Sequence, residues 1–361
     1  VFFYRKRDLV GFDIGSSSIK LVHLKAVGGG YHLLRMGIMP LPSEVIVDGA
    51  MMNAGVVGDV LRSLLVSHKI KRNTDACTSV SGHSVIIKKI LLPKMTRVDL
   101  DETIRYDAEQ YIPFDVNEVN LDFRIIGPAP DDPEQMEVLL VAVKTDMIDD
   151  YTAILSEVGL NPIIVDIDAF CIQNMFEVNY PDELDKAVAL INIGASITTI
   201  NVVHEGNSAF IRDISAGGNL YTGEIQKRLN ISFEEAEELK LGGTIEADQS
   251  AGNVEHQEVN GIISAISDNL SDEIQRSLDF YASATSGEEI SHIYLTGGTA
   301  KIYGLTEIIE RKTGIPTSLL NPLRKITFNE KEFDAGYLDN ISPILGVAIG
   351  LALRRIGDRN Q

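Results

Sequence analysis

Residues 10–23 read Val10-Gly-Phe-Asp-Ile-Gly-Ser-Ser-Ser-Ile-Lys-Leu-Val-His, with apolar and β-branched residues flanking a Gly/Ser turn on both sides. That pattern predicts two strands joined by a tight turn. Half a chain later, Ala189-Leu-Ile-Asn-Ile-Gly-Ala-Ser-Ile-Thr-Thr-Ile-Asn-Val repeats it nearly position for position. Asp13 is answered by Asn192, Gly15 by Gly194 and Ser17 by Ser196. Repetition in register predicts an internal duplication and two related halves.

Working outward, helix and strand signals alternate after each hairpin, which predicts an α/β class in which helices cover sheets. In the first half, 56–68 has helical spacing of apolar residues, and 78–80 and 85–92 read as extended. Between 84 and 160 lies a βαββα pattern: strand 85–92, helix 100–112, strands near 121–126 and 138–143, and helix 147–158. Leu121, Phe123 and Ile125 alternate as a half-buried strand does, while Leu100, Ile104, Ala108 and Ile112 share one helix face. An inserted subdomain is expected there. In the second half, 208–214 reads as a strand, Gly217-Gly-Asn opens a helix, and Ser232 caps the next one. An exposed loop is expected over 246–258, a long helix over 261–284, and a strand at 293 that enters a Gly turn. A closing helix is expected over 343–355, with Arg354 and Arg355 in its last turn.

The chain of 361 residues carries 52 acidic and 32 basic side chains, a formal charge of −20. DNA and anionic bilayers attract clustered Lys and Arg, so neither is expected as a main partner. Cys77 and Cys171 are far apart and form no C-x-x-C pair, which argues against a disulfide framework or thiolate zinc site and for the cytosol. Uninterrupted apolar runs are well short of the roughly 20 residues that cross a bilayer. The first seven residues place their charges after their apolar residues, the reverse of a secretory signal. The seven His show no ligand spacing.

No Walker A, G-x-G-x-x-G or H-E-x-x-H motif occurs. Phosphate can be held another way: a hairpin tip of Gly15, Ser16, Ser17 and Ser18 offers successive N–H groups and hydroxyls. Asp13, ending the leading strand, faces the same point and could hold hydrated Mg²⁺ through water. Lys20 either reaches the phosphates or solvates a strand end. One such hairpin is weak evidence, but two in register can close on a triphosphate from both sides. A third Gly site, Leu295-Thr-Gly-Gly-Thr-Ala, lets backbone approach a flat ligand.

These residues resemble the actin, Hsp70 and sugar-kinase superfamily of nucleotide-binding folds. By that resemblance Asp13 to Lys20 is a first phosphate loop, Asn192, Gly194, Ala195 and Ser196 a second, and Gly297, Gly298, Thr299 and Lys301 an adenosine loop. Gly217, Gly218 and Asn219 resemble the Gly pair beside the phosphates, and Glu237 and Lys240 the helix that contacts adenosine. Within the superfamily, five segments resemble the PilM family of type IV pilus assembly: those starting at Asp8, Ala108, Glu235, Glu273 and Gly346. The resemblance implies an actin-like two-lobed fold with an FtsA-type 1C subdomain. Subdomain 1A spans 1–83, completed by 161–185 and 343–361; 1C spans 84–160, 2A spans 186–222 and 286–342, and 2B spans 223–285. It also implies ATP with Mg²⁺ between the lobes and the cytoplasmic amino-terminal peptide of PilN as partner, with pilus motor and platform proteins beyond it. The membrane is then reached only through partners, and self-association is compatible. Tyr111, Ile112 and Phe114 are either part of the peptide surface or core of 1C.

Hydrolysis needs an oriented water and neutralised phosphates. Asn192 stands where many relatives place Asp, and Asp168 is the nearest match to the water-orienting residue, unless it caps the following helix. Tight nucleotide binding with slow or negligible turnover is therefore expected. Two alternatives are a small-molecule kinase of the same fold, for which no acceptor motif is found, and a self-polymerising protein like FtsA. FtsA ends in a basic amphipathic helix, whereas this sequence stops soon after Arg355.

Overall fold

Each Gly/Ser turn folds its flanking Val, Ile and Leu back into an antiparallel hairpin. The computed structural model describes residues 8–129, 131–243, 254–285 and 288–355. In the first lobe β1 (Val10–Ile14) pairs with β2 (Ser18–Val27), which pairs with β3 (Gly30–Pro40). A ribbon of β4 (Ile46–Val47) and β5 (Ala50–Met51) leads to α1 (Ala54–Ser67) and then to β6 (Asp75–Val80), which lies parallel to β1. The chain then leaves the lobe through β7 (Val85–Pro93), α2 (Arg97–Ala108), β8 (Val119–Pro128) and β9 (Gln135–Lys144). It returns with α3 (Thr145–Glu157), β10 (Asn161–Ile167) and α4 (Asp168–Asn179).

The second lobe repeats the plan with β11 (Val188–Ile193), β12 (Thr198–His204) and β13 (Asn207–Ile214). Helices α5 (Gly218–Leu229), α6 (Phe233–Gly243) and α7 (Val254–Ala284) follow, then β14 (His292–Thr296), α8 (Leu305–Thr313) and β15 (Thr317–Leu319). The chain ends its described course with β16 (Ile326–Thr327), α9 (Ala335–Ile341) and α10 (Gly346–Leu353). The two sheets run β10-β6-β1-β2-β3-β16 and β13-β12-β11-β14-β15. Apart from β16, both place their lobe's strands in the same order, three antiparallel and two added in parallel. The duplication read from the hairpins thus extends through the whole sheet.

Strand alternation sorts the cores. Val10, Phe12 and Ile14 turn to a core shared with α1 and α3, and Ala189, Ile191 and Ile193 to one shared with α5, α7 and α8. On the opposite faces, Val22 and Leu24 of one sheet and Val188 and Leu190 of the other meet in one core around α4 and α10. The lobes therefore share buried surface through two helices. Helix α10 gets close to its neighbours because it is rich in small residues: a Cβ on Gly350 would stand 1.9 Å from the Cys171 carbonyl oxygen. The helical run 335–353 has a mean hydropathy of 1.4, long and apolar enough to cross a membrane, yet 72% of it is buried. Burial inside the fold accounts for its composition.

Several expectations need correction. Helix 147–158, read as part of the insertion, buries Met147, Tyr151, Ile154 and Leu155 in the first lobe's core beside α1, a core that the base of the inserted sheet also enters through Val143. The insertion's own core comes from the β7-β9-β8 sheet and α2, with Leu100, Ile104, Phe123 and Val138 inside. A reciprocal Thr96–Asp99 capping box starts α2 three residues early, and the helix stops at Ala108, leaving Ile112 beyond it but buried. Residues 254–258, expected in a loop, already belong to α7. The expectations for 1–7, 246–253 and 356–361 fall outside the described residues. Pro343 lies in a 3₁₀ turn ahead of α10, and Arg354 and Arg355 follow that helix instead of closing it. Their charges are drawn to carboxylates: Arg354 Nε stands 3.3 Å from Asp166 and Arg355 Nη2 3.6 Å from Asp8.

Candidate nucleotide-binding cleft

The two hairpin tips close with the same hydrogen bond: the Gly15 N–H donates to the Ser18 carbonyl at 3.2 Å, and the Gly194 N–H to the Ile197 carbonyl at 2.9 Å. Both tips border one cavity of about 1130 Å³, slightly above the roughly 300–1,000 Å³ common for small-ligand sites. Among the described residues the N–H groups of Ser16, Ser17, Ala195 and Ser196 have no internal partner. Unpaired donors on two facing turns suit phosphate oxygens.

At the first hairpin, Asp13 and Lys20 are cross-strand partners and pair at 3.2 Å. The corresponding pair in the second hairpin is Asn192 and Thr199. Among the described residues no cluster of three or more His, Cys, Asp or Glu could hold a metal ion. Asp13 alone fits a hydrated ion carried in on phosphates, and Lys20 is held by Asp13 instead of reaching freely into the cleft.

Helix α5 starts directly on the second hairpin. The Gly218 N–H donates to the Gly194 carbonyl at 3.0 Å, the Asn219 N–H to Ala195 at 2.7 Å, and the Asn219 amide to Ser196 Oγ at 3.1 Å. The adenosine-loop candidate is tied to the same turn, since Thr299 Oγ1 donates to the Gly194 carbonyl at 2.7 Å. Gly297 has φ +95°, and a Cβ there would lie 2.3 Å from the Ile193 carbonyl oxygen, so only glycine allows this approach. On α6, buried Lys240 contacts Glu237 at 2.6 Å and Thr222 at 3.0 Å, and Thr222 donates to Glu237 at 2.5 Å. Lys301 donates to Asn340 at 2.6 Å, and its partial burial lowers its pKa.

Asp168 occupies the first turn of α4 with Ile167 as the cap, so it does not cap the helix. Its carboxyl borders the cavity with a pKa pushed up to about 6, by desolvation first and then by the Asp13 charge, against the hydroxyls of Ser79 and Ser81.

The cavity wall contains every site residue read from the sequence except Gly217, which packs behind it against the second hairpin. Sequence reasoning missed Ser79, Ser81, Thr199, Thr222, Tyr303 and Asn340. Ser79 and Ser81 had a signal, hydroxyls at the end of a parallel strand, whereas Thr222 and Asn340 reach the site only through tertiary packing. Tyr111, Ile112 and Phe114 pack on the insertion's core, Phe114 beneath the Lys144 ammonium at 5.0 Å. Arg276 pairs with Glu273 on α7, outside the cavity wall.

Cell division protein FtsA of Enterococcus hirae is 21% identical over 94% of this chain and 85% of its own length. FtsA of Bacillus subtilis is 25% identical over 64% of this chain and 57% of its own. Among solved structures, a PilM-PilN type IV pilus biogenesis complex contains a chain 27% identical, with TM-score 0.85 over 97% of this chain and 98% of that one. MreB5 of Spiroplasma citri bound to AMPPNP shares the fold, at 12% identity and TM-score 0.54 over 95% and 94% of the two chains. These likenesses show an actin-like fold of the FtsA type, in a superfamily that typically binds nucleotide. The family described as type IV pilus assembly protein PilM matches residues 11–356, nearly the whole duplicated fold, and this chain belongs to it.

Proposed function

We propose that the chain is a nucleotide-binding scaffold of the type IV pilus machine. It holds ATP with Mg²⁺ between its lobes and, on its first lobe and insertion, the cytoplasmic amino-terminal tail of the inner-membrane protein PilN. The observation that carries the nucleotide part is the pair of identically closed hairpins, Gly15–Ser18 and Gly194–Ile197, bordering one cavity. The partner part rests on the likeness to the chain of a PilM-PilN complex. In subdomain terms, the first lobe is 1A, the inserted sheet 1C, the second sheet 2A and the α6–α7 region 2B.

Ser16, Ser17, Ala195 and Ser196 offer backbone donors to the phosphates, and Asp13 faces a hydrated Mg²⁺. Bound Mg²⁺ supplies charge neutralisation. Glu237, Lys240 and the Gly297–Gly298 turn flank the adenosine, with Thr299 fixing that turn to the second hairpin. Asp168 is the candidate to orient a water, and with a pKa near 6 and a neutral Asn192 opposite, it suits slow turnover. A net charge of −20 fits a body that stays at the cytoplasmic face through a peptide it grips, with motor and platform proteins as further contacts.

Titration with the PilN amino-terminal peptide, with and without ATP and Mg²⁺, tests this. Saturable binding with a nucleotide-dependent affinity is expected, and a flat titration under both conditions rejects the scaffold. ATP-dependent sedimentation of the chain alone favours an FtsA-like polymer instead.

A further inference from the structure

The inserted sheet joins the first lobe through a short neck, residues 81–84, and that neck touches the second lobe. The buried Gly82 N–H donates to Asp213 Oδ2 at 2.9 Å, and His83 Nε2 meets Ser215 Oγ at 3.2 Å. Asp213 lies on β13, and its other oxygen accepts from Thr199 Oγ1 at 2.7 Å. Thr199 and Ser81 border the cavity, and Ile197 of the second hairpin tip packs against Gly82. The neck is short and closed at its base by Val85 N–H to Gly82 and Lys144 N–H to Ser84.

The duplication makes Asp213 stand out. Thr199 pairs with Asp213 across β12 and β13, and the corresponding Lys20 pairs with Ile38 across β2 and β3. The second lobe carries a carboxylate where the first carries an aliphatic side chain, and that carboxylate reaches the neck. A buried N–H that loses its acceptor is costly, whereas the exposed Asp213 carboxylate can rehydrate as the bond opens. Such a bond can close and open without burying a bare charge.

We infer that Asp213 is a positioning residue that latches the second lobe to the neck of the insertion, so that lobe closure on the cleft sets the stance of the inserted sheet. The link to peptide binding rests on the proposed function, but the latch itself does not. Cleft occupancy pulls on Thr199 and the second hairpin, Asp213 follows, and the Gly82 amide carries the movement into β7 and β9. A ligand shifts this equilibrium only by its preference for the closed form.

Spin labels at Glu102→Cys on α2 and Lys227→Cys on α5, both exposed, report the distance between insertion and second lobe; the native cysteines are buried. The unmodified latch is expected to give one narrow distance. Asp213→Ala broadens it with the chain still folded by circular dichroism, and Asp213→Asn, whose amide oxygen still accepts one bond, falls between. An unchanged distribution in Asp213→Ala overturns the latch. A second arm measures the ratio of PilN-peptide affinities with and without ATP and Mg²⁺. Coupling of this kind usually spans about 5- to 150-fold, and Asp213→Ala is expected to remove it. A wild-type chain with no such ratio rejects the scaffold reading's nucleotide response, while the spin-label distances still decide the latch.

Discussion

Lys20 Nζ stands 3.2 Å from Asp13 Oδ2, with the two side chains only 12% and 10% exposed. They face each other across the first hairpin, at the place where the second hairpin has the uncharged pair Asn192 and Thr199. Of the two hairpins, only the first carries a cross-strand ion pair.

Breaking a largely buried pair leaves a charge without compensation, at a cost of about 3 kcal/mol. Lys20→Met is therefore expected to lower the unfolding free energy in urea by about that much, and adding Asp13→Asn should restore most of it. Additive losses in the double variant would show that the pair is not coupled. Asp13→Ala is expected to stay folded but lose the Mg²⁺ dependence of ATP binding in calorimetric titration.

Asp168 makes stability depend on pH. Its folded pKa is raised to about 6, so the folded chain keeps a proton that the unfolded chain has released. Stability from this group is present below its ordinary value near 4 and lost as pH rises through about 6. Asp168→Asn is expected to be more stable than wild type at pH 7.5 by about 3 kcal/mol, and about equal at pH 4. Identical urea midpoints at pH 7.5 would contradict this.

Gly297 is bound to its conformation by both φ and space. Gly297→Ala adds left-handed strain of about 1–2 kcal/mol to a contact 2.3 Å from the Ile193 oxygen. The variant should melt earlier and bind ATP at least tenfold more weakly, which fluorescence with a labelled nucleotide can measure. Full affinity would place the base elsewhere.

Lys240 lies buried between Glu237, Thr222 and the start of α5. Lys240→Met removes the cation that joins α6 to α5, and an uncompensated, partly exposed Glu237 costs about 1–2 kcal/mol. ATP affinity should fall with it, while a PilN peptide titrated without nucleotide binds as before. Loss of peptide binding in the absence of nucleotide would mean that α6 also serves the peptide surface.

Much of this was legible in the linear chain. The two hairpins are local, made by neighbours in sequence, so Gly15 and Gly194 announced both turns and their repetition announced the duplicated sheet. Ser232 was recognisable as a cap, and in the structure its hydroxyl accepts from the Glu235 N–H while Glu235 reaches back to the Ser232 N–H. Helix α3 misled because an amphipathic helix shows which face is apolar, not which of two adjacent cores receives it.

The amino-acid sequence by itself determined the α/β class, the repeat, the family and the loops around the cleft, since strand alternation, turn chemistry and motif spacing act over a few residues. Only the tertiary structure decided that Thr222 stands behind the cleft wall, bonded to Glu237 and Lys240, that Asn340 lines the cleft, and that Asp213 meets Gly82. Those contacts join residues 15 to 131 positions apart, and their distances follow from how sheets and helices pack, which no local pattern encodes.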